Sequence, residues 1–334
     1  MIGFRVLVLA LESGYSVRAA VRSQASIDII LAAPSIKRLN PGPKLSFVFV
    51  PDIAVEGAYD AAVKGVEYII HLASSLPSAG DTTPEALAAF VDVGVQGTMG
   101  MLHSAAKTTG IKRIVITSSC SAVISFPDLA FSETTQIFTA DNRVPFDEGP
   151  YQHPPQAYFA FKVKALLAID DFFAKNKMEF DHINIMPSYV LGKNELTTTP
   201  EDITHSSNRM LMGLVLGHDG PMPIPGSVVW LDDVARIHVE ALNREKIAGG
   251  QSFDAVGSGI EGIQWNDYQD IVKRHFPEAV QDGRLPNSGK QVTRVVRVDA
   301  QKTEKAFGMK FRGFEEQVVE VVGFYLELLA AKKA

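Results

Sequence analysis

Residues 1–23 read MIGFRVLVLALESGYSVRAAVRS, and the order of elements in this stretch decides the fold. Residues 2–13 are apolar nearly all round and stop at Gly14, which predicts a buried helix with a glycine at its C-terminal end. YSVRAAV (15–21) then reads as a strand, with Tyr15, Val17, Ala19 and Val21 on one face. The same rhythm continues downstream. Helical sequence runs to about Ala33, NPGPK (40–44) is a loop, and LSFVFV (45–50) is an apolar strand. A short helix over 55–64 precedes strand EYIIHLA (67–73), and a helix near 84–109 precedes strand RIVITSS (113–119). A helix over 155–176 leads to HINIMP (182–187). Apolar strands alternating with helices imply an α/β fold with a parallel sheet wound on both faces.

After residue 188 the alternation breaks up, with the Pro/Gly-rich GHDGPMPIPGS at 217–227 and a looser stretch at 256–300. The expected organisation is a sheet domain over 1–188 that also receives about 226–255. A smaller lobe comes from 189–225 and 256–310, and a closing helix lies in 311–334.

Composition narrows the function. The 334 residues are 46% apolar and 21% charged, as in an ordinary globular enzyme or binding protein. A net charge of -6 with no Lys/Arg run argues against nucleic acid as a partner. Cys120 is the only cysteine, so no intrachain disulfide can form and a reducing, cytoplasmic setting is expected. No apolar run approaches the roughly 20 residues needed to span a bilayer, and VLVLAL (6–11) after Arg5 is too short for a signal peptide. The histidines have no metal-ligand spacing, so no metal is expected.

The strongest chemical motif is YFAFK, which sets Tyr158 and Lys162 four residues apart in a run with no internal Gly or Pro. On a helix these positions share a face, and an ammonium beside a phenol favours the phenolate. A second match, Tyr189 and Lys193 in YVLGK, is interrupted by Gly192 and comes after a strand, so the two do not face each other as on a helix. Upstream of YFAFK, TSS (117–119) closes the strand RIVI. Ligands of open α/β sheets bind outside the carboxyl ends of strands, so a hydroxyl there faces the cleft.

TSS, YxxxK, PSYVLG (187–192), WLDDVARIHVEAL (230–242) and KTEKAFGMKFRGFEEQVVEVVGFYLEL (302–328), in this order, resemble the extended short-chain dehydrogenase/reductases, which belong with the NAD(P)-dependent epimerases and dehydratases. The likeness is greatest to the dihydroflavonol 4-reductase-like branch with its fungal aldehyde and ketoreductases. The resemblance implies a Rossmann-type domain binding NADP(H) and hydride transfer to a small-molecule carbonyl substrate. It assigns proton donation to Tyr158, ribose contact and lowering of the Tyr158 pKa to Lys162, and carbonyl positioning to Ser119. It places Gly3, Arg22, Asp52, Ile53, Ala73, Ser74, Pro187 and Val190 along the cofactor, together with Tyr158 and Lys162. Arg22, in AAVRS without an acid, favours NADPH over NADH. Ile124, Tyr151, Ser188, Tyr189 and Met222 are the expected substrate-lining residues, and His71 is expected to be packed rather than catalytic.

Departures from the family pattern also carry meaning. Phe161 replaces the small polar residue common in YxxSK, and Gly100 stands where Asn is usual. The segment after TSS lacks the epimerase continuation VYG, and Ile124 replaces an Asn that contacts flavonoid substrates, so a dihydroflavonol is not the expected substrate. The alternatives are a nucleotide-sugar epimerase or dehydratase, and an impaired family member acting as sensor or scaffold. The oligomeric state is left open between monomer and homodimer.

Relatives of this type begin with a strand and a G-x-x-G-x-x-G turn before the first helix, and here only Gly3 matches, as the third glycine. About fifteen residues are expected to be absent, including a central strand of the 3-2-1-4-5 order. Each unsatisfied ladder group costs about 1–3 kcal/mol, against a total stability of roughly 5–15 kcal/mol. The expectation is poor folding or weak NADPH binding by this chain. Restoring upstream residues should raise both thermal stability and NADPH affinity, and equal affinity with and without them would refute it.

Overall fold

The computed structural model describes residues 1–75, 83–127 and 135–333. In chain order the N-terminal part runs α1 (Ile2–Glu12), β1 (Val17–Val21), α2 (Gln24–Ala32), α3 (Pro34–Leu39), β2 (Leu45–Phe49), β3 (Tyr68–His71), α4 (Pro84–Ala106) and β4 (Arg113–Thr117). Next come β5 (Ile137–Phe138), α5 (Pro154–Lys175), β6 (Asp181–Pro187), β7 (Tyr189–Leu191), α6 (Arg209–Val215), β8 (Ile224–Pro225), β9 (Val228–Trp230), α7 (Leu231–Glu240) and β10 (Gln251–Ala255). The remainder holds α8 (Tyr268–His275), α9 (Pro277–Gln281), β11 (Thr293–Arg294), β12 (Arg297–Val298), α10 (Gln301–Phe307) and α11 (Phe314–Lys333).

The expected parallel α/β architecture is present. β3, β4, β6 and β10 form one parallel sheet in the order β10-β6-β4-β3. β4 and β6 are buried along most of their length, as strands covered on both faces must be. Arg113 begins β4 and is itself buried. Its guanidinium donates to both oxygens of Asp181 at 2.5 and 2.9 Å and to the carbonyls of Ala241 and Ile247 at 2.8 and 2.7 Å, so every face of the charge is answered.

β1 and β2 form a separate parallel pair, with Val17 opposite Leu45 and Val21 opposite Phe49. Their connection to the larger sheet is through helices rather than a ladder. On one side of α1, Val6 and Ala10 pack with Ala235 and Val239 of α7 and reach Val17, Ile70 and Leu72. On another side Phe4, Leu7, Val8 and Leu11 pack against Ala33 and Ile36. Between β1 and β3 lies a cavity of about 1010 Å³.

One sequence expectation changes. The helix expected over 55–64 is a series of turns, because Gly57 and Gly65 take φ of 72° and 70° and break the helical register. The helical stretch expected to about Ala33 is α2, which ends at Ala32; Pro34 holds Ala33 in extended geometry, and a further helix, α3, starts at the proline. The later part of the chain builds its own core, in which Trp265 and Tyr268 pack with Leu211, Met212, Val318 and Val322.

α4 and α5 cross at Gly94. A Cβ on Gly94 would lie 2.6 Å from two ring carbons of Phe161, which is buried and stacks edge-on with Phe90 at 5.8 Å. The bulky residue of YFAFK therefore fits because the facing helix has no side chain there. Gly94→Ala should destabilise the protein by about 1–3 kcal/mol through overpacking, read as a lower urea midpoint. Adding Phe161→Leu should return part of that loss; a double mutant no better than Gly94→Ala alone would contradict the fit.

Candidate active site

The parallel strands place their carboxyl ends along one edge of the sheet, and the chemical groups come from the segments just past those ends. β4 ends at Thr117, and the amide of Ser118 donates to the Ile185 carbonyl of β6 at 2.7 Å. Ser119 then turns the chain: its Oγ accepts the amide of Ser121 at 3.1 Å and caps a short 3-10 turn over Cys120–Ala122. The same hydroxyl faces the Tyr158 phenol closely enough to favour its ionised form, which brings the strand end up to α5. A serine hydroxyl has two acceptor sites and one donor, so capping and tyrosine pairing coexist.

α5 starts with two prolines at its first turn, where missing N–H groups cost nothing. Tyr158 and Lys162 stand one turn apart on it. The Lys162 Nζ lies 5.7 Å from the Tyr158 ring centroid and 4.8 Å from that of Phe161, and the lysine is only 5% exposed. Burial lowers the Lys162 pKa from 10.5 to about 8. Burial likewise raises the Tyr158 phenol above 10, with the Ser119 hydrogen bond opposing it. The expectation that Lys162 lowers the Tyr158 pKa therefore changes: the phenol is held protonated. Its physical cause is that desolvation outweighs the help it receives from its partners.

His71, at the end of β3, is buried edge-on against Tyr59 at 5.6 Å. Burial, followed by the Lys162 charge, lowers its pKa to about 4, so it stays neutral. Its Nε2 and the Tyr59 hydroxyl are buried without a hydrogen-bond partner. Tyr59 carried no signal in the sequence, because it lies on the turn segment expected to be helical.

The other expected cofactor residues come after successive strands. Arg22 is exposed directly after β1. Asp52, after β2, is exposed and its Oδ1 accepts the Ala54 amide at 2.9 Å. Ile53 fills the space above Gly97, where a Cβ would come within 2.9 Å of its Cδ1. Ala73 is exposed and Ser74 half-buried just past β3, with the Ser74 Oγ donating to the Ser75 carbonyl at 3.2 Å. Pro187 closes β6 and is buried, while Val190 packs in the core formed with Val229 and Leu231. Gly3 is exposed in the first turn of α1.

The expected substrate-lining set divides. Ser188 and Tyr189 are half-buried after β6; the Ser188 Oγ donates to the Ala255 carbonyl at 3.3 Å, and Tyr189 meets Trp265 edge-on at 6.0 Å. Met222 is 59% exposed. Ile124 and Tyr151 depart from the expectation. Each is 2% exposed: Ile124 packs with Val123 and Phe138 in the core, and the Tyr151 hydroxyl is satisfied by the Asp147 carbonyl at 2.7 Å. Neither offers surface to a substrate. A pair missed by sequence reasoning lies behind Ser119: the Cys120 Sγ donates to the Met186 carbonyl at 3.2 Å and sits 3.8 Å from Asp254 Oδ1. Burial pushes the Asp254 carboxyl up to about 7. Only the adjacency of Cys120 to Ser119 hinted at it, since Asp254 is far away in sequence.

The buried lysine has a stability signature. A lysine with a depressed folded pKa destabilises the protein while charged, fully below about pH 8, and the cost fades as pH rises toward 10.5. The size is about 3 kcal/mol. Lys162→Met should therefore unfold at higher urea than wild type at pH 7, with the advantage shrinking between pH 8 and 10; a mutant less stable than wild type at pH 7 would contradict the burial cost.

Comparison with known proteins places this geometry in a family. A model of the NAD dependent epimerase/dehydratase family matches residues 1–255. The chain is 40% identical over 334 residues to ketoreductase CTB6 of Cercospora nicotianae, covering 98% of this chain and 92% of the relative. It is 34% identical to the NAD-dependent epimerase/dehydratase ALT6 of Alternaria alternata, covering 95% and 92%. Among solved structures, yeast methylglyoxal/isovaleraldehyde reductase Gre2 complexed with NADPH superposes with a TM-score of 0.79 at 24% identity, covering 98% of this chain and 96% of that one. Vestitone reductase from alfalfa (Medicago sativa L.) superposes with a TM-score of 0.71 at 21% identity, covering 98% and 95%. With its parallel sheet, its strand-end serine and a family match over more than half its length, the chain belongs to the NAD-dependent epimerase/dehydratase family.

Proposed function

We propose that this protein is an NADPH-dependent carbonyl reductase that converts a ketone or aldehyde of the secondary-metabolite type to an alcohol. The observation that carries the reading is the placing of Ser119 at a strand end beside Tyr158, with Lys162 one helical turn beyond. The ketoreductase relative, aligned over 92% of its length, supports a reductase rather than a sugar epimerase.

The donor set suits a phosphorylated dinucleotide. Arg22 is an exposed cation at the end of β1 with no adjacent acid, which suits an adenosine 2′-phosphate. Asp52, Ile53, Ala73, Ser74 and Pro187 stand at or past the ends of other strands along the same edge, and Gly3 sits in the first turn of α1. NADPH supplies a hydride to the carbonyl carbon when bound. As the C–H bond forms, the carbonyl π pair moves onto oxygen and the Tyr158 phenol gives that oxygen its proton. The raised pKa of Tyr158 keeps this proton in place before reaction. The Ser119 hydroxyl donates a second hydrogen bond to the developing alkoxide and fixes its position. The Lys162 ammonium, still largely charged at neutral pH, stabilises the tyrosinate left behind. Among the described residues no group of acidic, histidine or cysteine side chains could hold a metal, and no helix is long and apolar enough to cross a membrane. Cys120, free and buried, suits a reducing cytoplasmic setting.

Purified protein should oxidise NADPH with at least one member of a carbonyl panel. Tyr158→Phe should lower kcat/KM by about 10²–10⁴-fold with the fold intact by circular dichroism. Unchanged turnover in that mutant overturns the assignment. Arg22→Ala should weaken NADPH binding by about tenfold while leaving NADH unaffected, read by fluorescence titration; equal losses for both cofactors would remove Arg22 from phosphate recognition.

A further inference from the structure

Behind Ser119 a single thiol proton faces two acceptors. Cys120 opens the 3-10 turn that Ser119 caps, and its Sγ lies 3.2 Å from the Met186 carbonyl of β6 and 3.8 Å from Asp254 Oδ1 of β10. The strand register sets the two acceptors side by side, with Met186 opposite Asp254. The shorter contact is to the carbonyl. Asp254 is 2% exposed, and its Oδ2 is buried without a hydrogen-bond partner. An ionised carboxylate in such a place is costly unless it is answered, so this arrangement suits the neutral acid.

The proton of Asp254 has a way out. A cavity of about 70 Å³ touches Asp254, with Thr139, Asp141, Asp299 and Lys302 among its walls. It has room for a water, and the exposed Asp141 and Lys302 bring it to the surface. The charged groups facing Asp254 come from each neighbouring element. Asp141, after β5, and Asp299, before α10, oppose its ionisation, and Lys302 of α10 favours it. The Lys302 Nζ is bonded to Asp141 Oδ1 at 2.8 Å, so Asp141 already answers it. The Thr303 hydroxyl is committed to the Asp254 main-chain carbonyl at 2.7 Å. Cys120 is held as the thiol by its burial, and Met186 brings no charge from β6.

We propose that Asp254 is a positioning residue for the reduction: its proton decides which acceptor holds the Cys120 thiol, and so how the Ser119 turn is seated, with the neutral acid as the working form. The role in reduction rests on the reductase reading above. While Asp254 is neutral, the thiol bonds the Met186 carbonyl and pins the turn to β6, next to the Ser118 amide bond to Ile185 at 2.7 Å. When Asp254 gives its proton to solvent through the cavity, the charged oxygen is the stronger acceptor and draws the thiol toward β10. The tie to β6 is then lost at Cys120, and Ser119, one residue earlier, moves relative to Tyr158. No covalent bond changes. Burial sets the Asp254 midpoint at about 7, inside the working range of a neutral-pH enzyme.

Cys120 is the only cysteine, so the S–H stretching band in the Raman spectrum of the full chain reports this one bond. In wild type the band should move to lower wavenumber between about pH 6 and pH 8, either side of the Asp254 midpoint. With saturating NADPH and the carbonyl panel member turned over best, kcat should fall about three- to tenfold over the same range. Asp254→Asn keeps the shape of the neutral acid, and should lose both the band movement and that step in kcat. Cys120→Ala should lose the step as well. Titration of Lys162 near 8 remains in every variant, so the comparison between variants isolates Asp254. A wild-type band that stays in place overturns the proposal whatever the activity. The same kcat profile in wild type and Asp254→Asn, or a step that survives in Cys120→Ala, also overturns it. No NADPH oxidation at any pH, with the band still moving, would instead overturn the reductase reading and with it the role of Asp254 in reduction.

Discussion

The packing of α1 on α7 is the contact on which the arrangement of the two sheets depends. β1 and β2 share no ladder with the four-stranded sheet, so their placement comes from side chains. Val6 and Ala10 of α1 interlock with Ala235 and Val239 of α7, and the same cluster takes in Val17 from one sheet and Ile70 from the other. Arg5 adds a bidentate pair to Asp232 at 2.7 and 2.6 Å. Both partners are more than a quarter exposed, so the pair contributes at most about 1 kcal/mol and mainly fixes orientation. Burial of the aliphatic side chains supplies the larger share, at about 0.8 kcal/mol per buried methylene. Small residues matter here because they let the two helix backbones approach.

The sheet was legible where strands are apolar on both faces. RIVIT and HINIMP admit little else, and they are the buried centre of the sheet. Reading failed where local geometry, not hydrophobic pattern, made the decision: Gly57 and Gly65 turn an apparent helix into turns. Phe161 departs from the small polar residue common in YxxSK. It is compensated by Gly94 on a different helix, a pairing that no single segment contains.

The site divides in the same way. The placement of Ser119 at a strand end and of Tyr158 and Lys162 one helical turn apart was legible because strand ends and the i, i+4 spacing fix them locally. Ile124 and Tyr151 were misjudged because a position opposite the cleft is not the same as a side chain turned into it; both turn inward, where Phe138 and the Asp147 carbonyl hold them. Charge states were the least legible of all. Spacing suggested a lysine that lowers the tyrosine pKa, yet burial dominates both groups and moves them in opposite senses, the phenol up and the ammonium down. On the proposed reading this is a useful state, since a phenol that acts as donor must carry its proton when the hydride arrives.

These two halves of the cleft have different mechanical foundations. Tyr158 and Lys162 stand on α5, wedged against α4 by Phe161, and Ser119 is tied to β6 through the amide of Ser118. That half rests on the four-stranded ladder and is indifferent to how β1 is placed. Arg22 and Asp52 stand at the ends of β1 and β2, which have no ladder to the larger sheet and are placed by α1, by the Arg18 bonds to Ala62 and Lys64, and by Val50 and Ile53 packing with Met101 and Ile114. On the reductase reading, loosening α1 therefore acts on the adenosine end of the cofactor and leaves proton delivery in place. Losses there fall on the KM for NADPH, and losses in the α4–α5 wedge fall on kcat, because each half of the sheet carries a different part of the work.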